Sequence, residues 1–269
     1  MKLRRTLKLP REHGAWAMLY VPFVLGVAVA GRVSLPVLLL LVATTALFIS
    51  RESLLGWWRA RSRGRRTQAS EQTGRLLLVY FAIVAAGGAP LILVYKLYWL
   101  LPLALIGFAV LAANGKQGTD FKDRTIQSEV MAIIGLTMTA AAAYYVAHGA
   151  WNQTALWLWA LSAAYFASSV FYVKLCVTGL HAKQAADRQR ARWQCAGYHS
   201  FLLASLLALA LTRSLPLFAL VAFAPVLART GWSLLKPART LDLKRIGIAE
   251  IVYSVIFLIF ITLTFRSAI

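Results

Sequence analysis

Carboxylates are scarce in this chain: nine Asp and Glu stand against 29 Lys and Arg in 269 residues. None of them forms an Asp-rich repeat at helical spacing, the pattern that would hold magnesium, a hard cation needing oxygen ligands. Cysteine is thinner still. Cys176 and Cys195 lie 19 apart and show neither zinc spacing nor a disulfide framework, so both are expected as unpaired thiols on the reducing side. The four histidines have no metal spacing: His181 and His199 flank one loop, and His13 and His148 fall on opposite membrane faces. No metal site is therefore predicted, and no cofactor is identified. Ser-His-Asp order, a P-loop and redox-cofactor signatures are all missing, as are internal repeats, low-complexity tracts and linkers. A single transmembrane helical domain over 1–269 is the expectation.

What the chain does have is apolar sequence. Sixty per cent of residues are apolar and 14% charged, which is the composition of a polytopic membrane protein. A basic arm (Lys2, Arg4, Arg5, Lys8, Arg11) leads through Glu12-His13-Gly14-Ala15-Trp16-Ala17-Met18 into an apolar helix ending near Ala30. A secretory or twin-arginine signal would start in the same way, but further spans follow at once, so the run is expected as a retained first helix. Further apolar runs cover 34–50, 76–94, 99–113, 130–146, 155–177, 198–211, 215–228 and 246–265. The fold class predicted is all-α, with about nine transmembrane helices. The runs at 198–211 and 215–228 are short, and they must cross together or not at all.

The net charge of +20 would suggest nucleic acid in a soluble protein. Here the positive-inside rule explains it, and no nucleic-acid partner is predicted. Alternating the nine runs puts 25 cationic residues on one side and only Arg32, Lys96, Arg213 and Arg266 on the other. That bias predicts a cytoplasmic N-terminus and an external C-terminus in a bacterial inner membrane. The carboxylates also fall on or just within the cytoplasmic side. The loop at 51–75 carries Trp57-Trp58 and a basic run suited to anionic lipid.

Three of the nine acids, Asp120, Asp123 and Glu129, crowd into ten positions that feed the fifth run. Glu129 stands at the helix entrance, where the helix dipole favours a carboxylate by roughly 0.3–1 kcal/mol. Capping and a polar site at a membrane mouth are both consistent with this. Glu250 lies about one turn inside the last apolar run, where an ionisable group is costly unless paired; Arg245 or another cation at the mouth is its expected partner. Ser162, Tyr165, Ser169 and Tyr172 share one helix face, either as packing hydroxyls or as the lining of a cavity.

Two stretches carry a resemblance. His13-Gly14-Ala15-Trp16-Ala17-Met18 with Val21-Pro22-Phe23-Val24-Leu25-Gly26 resembles the opening of the YwiC-like family of uncharacterised bacterial membrane proteins. Asp123-Arg124 to Ser128-Glu129, and on to Ala143-Tyr144-Tyr145, resembles the middle of that family. More distantly, Glu129 to Tyr145 is similar to the fifth-helix region of the UbiA prenyltransferases. That resemblance implies a nine-helix bundle that joins an isoprenoid diphosphate to an acceptor, using two Asp-rich magnesium segments. At the matching loops this chain offers only Glu52 and Glu71, 19 residues apart, and Asp187. No metal ligand carries over.

The expectation is a cytoplasm-facing cavity whose polar rim is drawn from Glu12, His13, Arg51, Asp123, Arg124, Glu129, Lys174 and Glu250. Acids set among bases distinguish such a rim from a plain topogenic collar. An isoprenoid or anionic lipid is the ligand class, and the bilayer is the surrounding partner. The alternatives are a transporter of small molecules or lipids, and a non-catalytic assembly partner in the membrane.

Overall fold

The computed structural model describes residues 13–62, 68–117, 126–182, 184–236 and 242–266. Glu12, Asp123 and Arg124 lie outside the described residues. Ten helices and no strands occur among these residues: α1 (His13–Ala30), α2 (Leu35–Ser62), α3 (Gln68–Leu93), α4 (Leu100–Gln117), α5 (Ile126–Thr137), α6 (Thr139–His148), α7 (Gln153–His181), α8 (Ala185–Leu211), α9 (Phe218–Leu235) and α10 (Leu243–Arg266). Helices dominate because a lipid core offers no partner for a free backbone N–H or C=O, so each segment must satisfy its own.

α5 and α6 form one span, Ser128–His148, with a turn at Met138. The sequence gives no hint of this turn. Its cause lies in the threonines on either side. The Thr137 hydroxyl donates to the Ile133 carbonyl at 2.7 Å, and that of Thr139 to Leu136 at 2.9 Å. Hydroxyls that take up helix carbonyls compete with the regular ladder and bend it. The span ends at Gly149, whose φ of 85° is left-handed and whose N–H donates to Tyr145 at 2.8 Å, a glycine cap.

Among the described residues seven helices are long and apolar enough to cross a membrane, and Gly14–Ala30 and Leu100–Val110 are shorter apolar helices. Nine apolar segments thus match the number of runs, with two corrections. Ala185–Leu211 and Phe218–Leu235 both reach spanning length, so the shorter helices are the first and fourth rather than this pair. And α9 continues past Ala228 to Leu235, carrying Arg229 inside a helix instead of leaving it in a basic loop.

The chain forms two compact units, Met1–Ala155 and Leu156–Ile269. In the first, α1 packs along α6 through small residues. A Cβ built on Gly26 would fall 2.3 Å from the Ala140 carbonyl oxygen and 2.7 Å from the Tyr144 nitrogen. The Thr139 hydroxyl shares its single proton between the Leu136 carbonyl and the Leu19 carbonyl of α1, each at 2.9 Å. Small residues let two backbones meet where lipid supplies no hydrophobic drive for association. Across α1 and α2, Trp16 meets Phe48 edge-on at 4.8 Å and Tyr20 bonds Thr45 at 3.1 Å. At the opposite end Trp99 stacks on Trp151 at 5.4 Å, and the Asn152 amide donates to the Tyr144 hydroxyl at 3.0 Å.

In the second unit, large aromatics hold the helices together. Tyr165 of α7 stacks on Phe257 of α10 at 4.3 Å, with Phe223 of α9 against both. Phe171 stacks on Tyr198 at 4.6 Å, and the Tyr198 hydroxyl donates to the Ala164 carbonyl at 2.6 Å. α9 and α10 run antiparallel, since Phe218 meets Phe260 and Phe223 meets Phe257.

Candidate functional sites

Each unit contains one place where polar groups enter an apolar interior. In the first unit it is a cavity of about 440 Å³ bounded by α2, α3, α4, α5 and α6, with Leu19 of α1. Its wall is hydrocarbon from Leu40 through Leu103 to Met138, with the hydroxyls of Thr44 and Thr139 the modest exceptions. Among the lining residues Arg51 alone is charged. Arg51 is half-buried and has no ion-pair partner among the described residues. On α2 it stands eleven residues from Leu40, so the lined stretch of helix is about 16 Å long at 1.5 Å per residue. The turn at Met138 falls on this wall, and Gly135, Met138 and Thr139 all line the cavity. A larger recess of about 880 Å³ beside α1 and α2 has no charged lining, and its Val24, Val33, Leu38 and Val42 are exposed. It is an open apolar surface.

In the second unit the site is an ion pair. Arg229 of α9 pairs with Glu250 of α10. The guanidinium lies over the Tyr172 ring at 3.8 Å and within 5.3 Å of the Tyr253 ring. Both side chains are largely buried, at 8% and 20% exposure. Desolvating two charges is costly unless they meet, and breaking such a pair costs more than forming it gains. The tyrosine faces add cation–π attraction, strongest where water is excluded.

Beside the pair lies a hydroxyl network. His199 is buried, and its Nε2 is within 2.9 Å of the Ser168 hydroxyl and 3.1 Å of that of Thr230; its Nδ1 approaches the Cys195 carbonyl at 2.8 Å. Tyr165 reaches Ser254 at 3.4 Å, and Ser254 donates to the Glu250 carbonyl at 2.8 Å. The face Ser162, Tyr165, Ser169 and Tyr172 therefore turns inward: the first three are buried and the fourth lies beneath Arg229.

The expected rim residues divide as follows. His13 opens α1, and Glu129 sits half-buried in the first turn of α5. Arg51 reaches the cavity of the first unit. Lys174 is half-buried on α7, and Glu250 is in the ion pair. Glu12, Asp123 and Arg124 lie outside the described residues. Of the partners expected for Glu250, Arg245 or another cation at the mouth, the structure has the second, Arg229, while Arg245 bonds Asp242, three residues away, at 3.1 Å. Sequence reasoning missed Arg229 and His199. Arg229 was hidden because it ends an apolar run and so looks like a flanking charge. The signal available was its place 21 residues before Glu250, across a hairpin of two helices. Cys176 and Cys195 are free thiols.

Magnesium can be tested against these residues. Glu52 and Glu71 belong to α2 and α3, Asp187 to α8, and no group of three or more His, Cys, Asp or Glu gathers among the described residues. The donor set does not fit a carboxylate-held magnesium, so no step is derived through one.

Nine apolar helices among the described residues define a multi-pass α-helical membrane protein. The family model of the YwiC-like proteins matches residues 9–144, just over half of the chain. The chain belongs to the YwiC-like family. The matched segment lies within the first compact unit, Met1–Ala155. No curated protein and no solved structure matches the chain.

Proposed function

We propose that the first unit binds a lipid with an anionic, diphosphate-type headgroup, its tail in the α2–α6 cavity and its headgroup on Arg51. One observation carries this reading: an apolar cavity of about 440 Å³ with a single cation in its wall. That volume lies within the roughly 300–1,000 Å³ of ligand sites, which pair an apolar lining with a few placed polar groups. The guanidinium is suited to phosphate oxygens because its planar fork donates two parallel hydrogen bonds. The likeness of 129–145 to the UbiA fifth helix supports the same class of ligand, since Ala132, Gly135, Leu136, Met138, Thr139 and Ala142 of that stretch line the cavity. With no carboxylate cluster to hold a metal among the described residues, binding is expected to rest on Arg and Lys and to survive removal of magnesium.

The test is titration of the purified full-length protein with farnesyl diphosphate, with and without a chelator. Saturable binding insensitive to the chelator is the expected result. Arg51→Ala should weaken it by about tenfold or more, the loss of a charged hydrogen bond of about 1.5–3 kcal/mol. Absence of saturable binding removes this ligand class. Binding lost on chelation would mean a metal site outside the described residues.

A further inference from the structure

The Arg229–Glu250 pair has a property that a purely structural pair does not need. A guanidinium carries five N–H donors, and Glu250 engages Arg229 through Nη1. All three guanidinium nitrogens of Arg229 are buried without a hydrogen-bond partner among the described residues, as is Glu250 Oε1, which meets Nη1 as an ion pair. The Arg229 side chain itself is 8% exposed. Tyr172 and Tyr253 cover it with their rings, leaving the donors at its edge. Ser162 and Ser169, on the α7 face that ends at Tyr172, are also buried without a hydrogen-bond partner. Buried donors left without acceptors are costly, above all on a charged group.

We propose that Arg229 is a carboxylate-binding site inside the second unit, with Glu250 as its displaceable counter-ion. The resident partner already defines the ligand chemistry: the guanidinium edge accepts a carboxylate, and Glu250, at 20% exposure, is the more open of the two groups. Charge balance then fixes a coupling. Arg229 and Glu250 together are neutral. A second anion on the guanidinium leaves a net negative charge in a low-dielectric interior, where it is expensive. One proton taken up by Glu250 restores neutrality; no other bond changes. The site therefore binds one carboxylate and one proton together. The other ionisable groups near the pair are Tyr165, Tyr172 and Cys176 from α7, Cys195 and His199 from α8, and Tyr253 from α10. His199 is the one that could imitate the pH response, and the experiment separates the two.

The experiment uses the purified full-length protein in detergent and two radiolabelled probes, benzoate for a soluble carboxylate and palmitate for a lipid one. Saturable binding of either probe is expected, tightening by up to about tenfold per pH unit as pH falls from about 8 to about 5. About one proton per bound anion should be absorbed in weakly buffered solution. Benzoate binding would assign the site to free carboxylates; palmitate binding alone would assign it to lipid. Glu250→Gln should bind at high pH as tightly as the parent does at low pH, with no pH dependence. Arg229→Lys, which keeps the charge but loses the fork, should bind at least about tenfold more weakly. The proposal is overturned if neither probe binds the parent protein at any pH, or if binding absorbs no proton. It is equally overturned if Glu250→Gln keeps the parental pH slope, which would assign the titration to His199. Should Glu250→Gln not fold, His199→Gln decides: it should keep the parental proton uptake on binding benzoate, and loss of that uptake would assign the titration to His199 and overturn the proposal.

Discussion

A single methyl group separates two outcomes in this bundle. At Gly26 an added Cβ would collide with the backbone of α6, so Gly26→Ala must push α1 and α6 apart. Overpacking of this kind costs about 1–3 kcal/mol. At Gly197, within α8, an added Cβ meets nothing within 4 Å, and Gly197→Ala should stabilise the helix by about 0.5–1 kcal/mol. Thermal unfolding of the two variants in detergent checks the contrast; equal midpoints would contradict the packing of the α1–α6 seam. The ion pair makes a second prediction at this scale. Arg229→Leu strands Glu250 and should cost about 3–5 kcal/mol, whereas Arg229→Leu with Glu250→Leu should recover most of that loss. The two members of the pair were unequally legible. An acid inside an apolar run, like Glu250, has no bland explanation and is conspicuous. A base at the end of such a run, like Arg229, has the commonest explanation in a membrane protein, and only the fold shows it turned inward. His199 was hidden for a related reason: its partners Ser168 and Thr230 are 31 residues away on either side, beyond the reach of any local pattern.

Elements were legible in number and type, less so at their ends. Apolar length determines a membrane helix, and that quantity can be read directly; the ends depend on which charges find partners, as α9 shows by continuing through Arg229. The turn at Met138 was not legible, because Thr137 and Thr139 are ordinary helix residues until their hydroxyls choose a carbonyl. α10 shows how one helix serves two environments. Ser254, Phe257, Ile261 and Thr264 recur on one buried face, while Ile251, Val255, Ile259 and Leu263 recur on an exposed one. Both faces are apolar enough for lipid, so hydropathy does not tell them apart. Phe257→Ala should therefore cost about 3–5 kcal/mol, and Ile259→Ala very little. If the two variants melt alike, the seam between α7, α9 and α10 is misassigned.

For the molecule as a whole, charge sidedness leads to the remaining prediction. Cysteine labelling or reporter fusions should place residue 68 in the cytoplasm and residue 269 outside, following the 25-to-4 division of Lys and Arg. A signal from outside at 68 would invert the map. The direction of the helices within each unit agrees with alternate crossing: Leu19 meets Thr139 and Gly26 meets Tyr144, so α1 and α6 run the same way, as the first and fifth of alternating spans must. This parallel seam has a consequence for how the protein is made. The Leu19 carbonyl receives the Thr139 hydroxyl across 120 residues, and at about 5–20 residues per second the ribosome takes roughly 6–24 s to supply it. For most of that interval α1, among the shortest of the apolar helices, has α2 to hold through Trp16 and Tyr20, until Leu136 of α5 arrives against Ala15 and Leu19. A nascent chain halted before Thr139 would leave the Gly26 groove open to any passing helix with small residues, which makes this interval the point at which the newborn protein is most exposed to wrong partners and to membrane quality control.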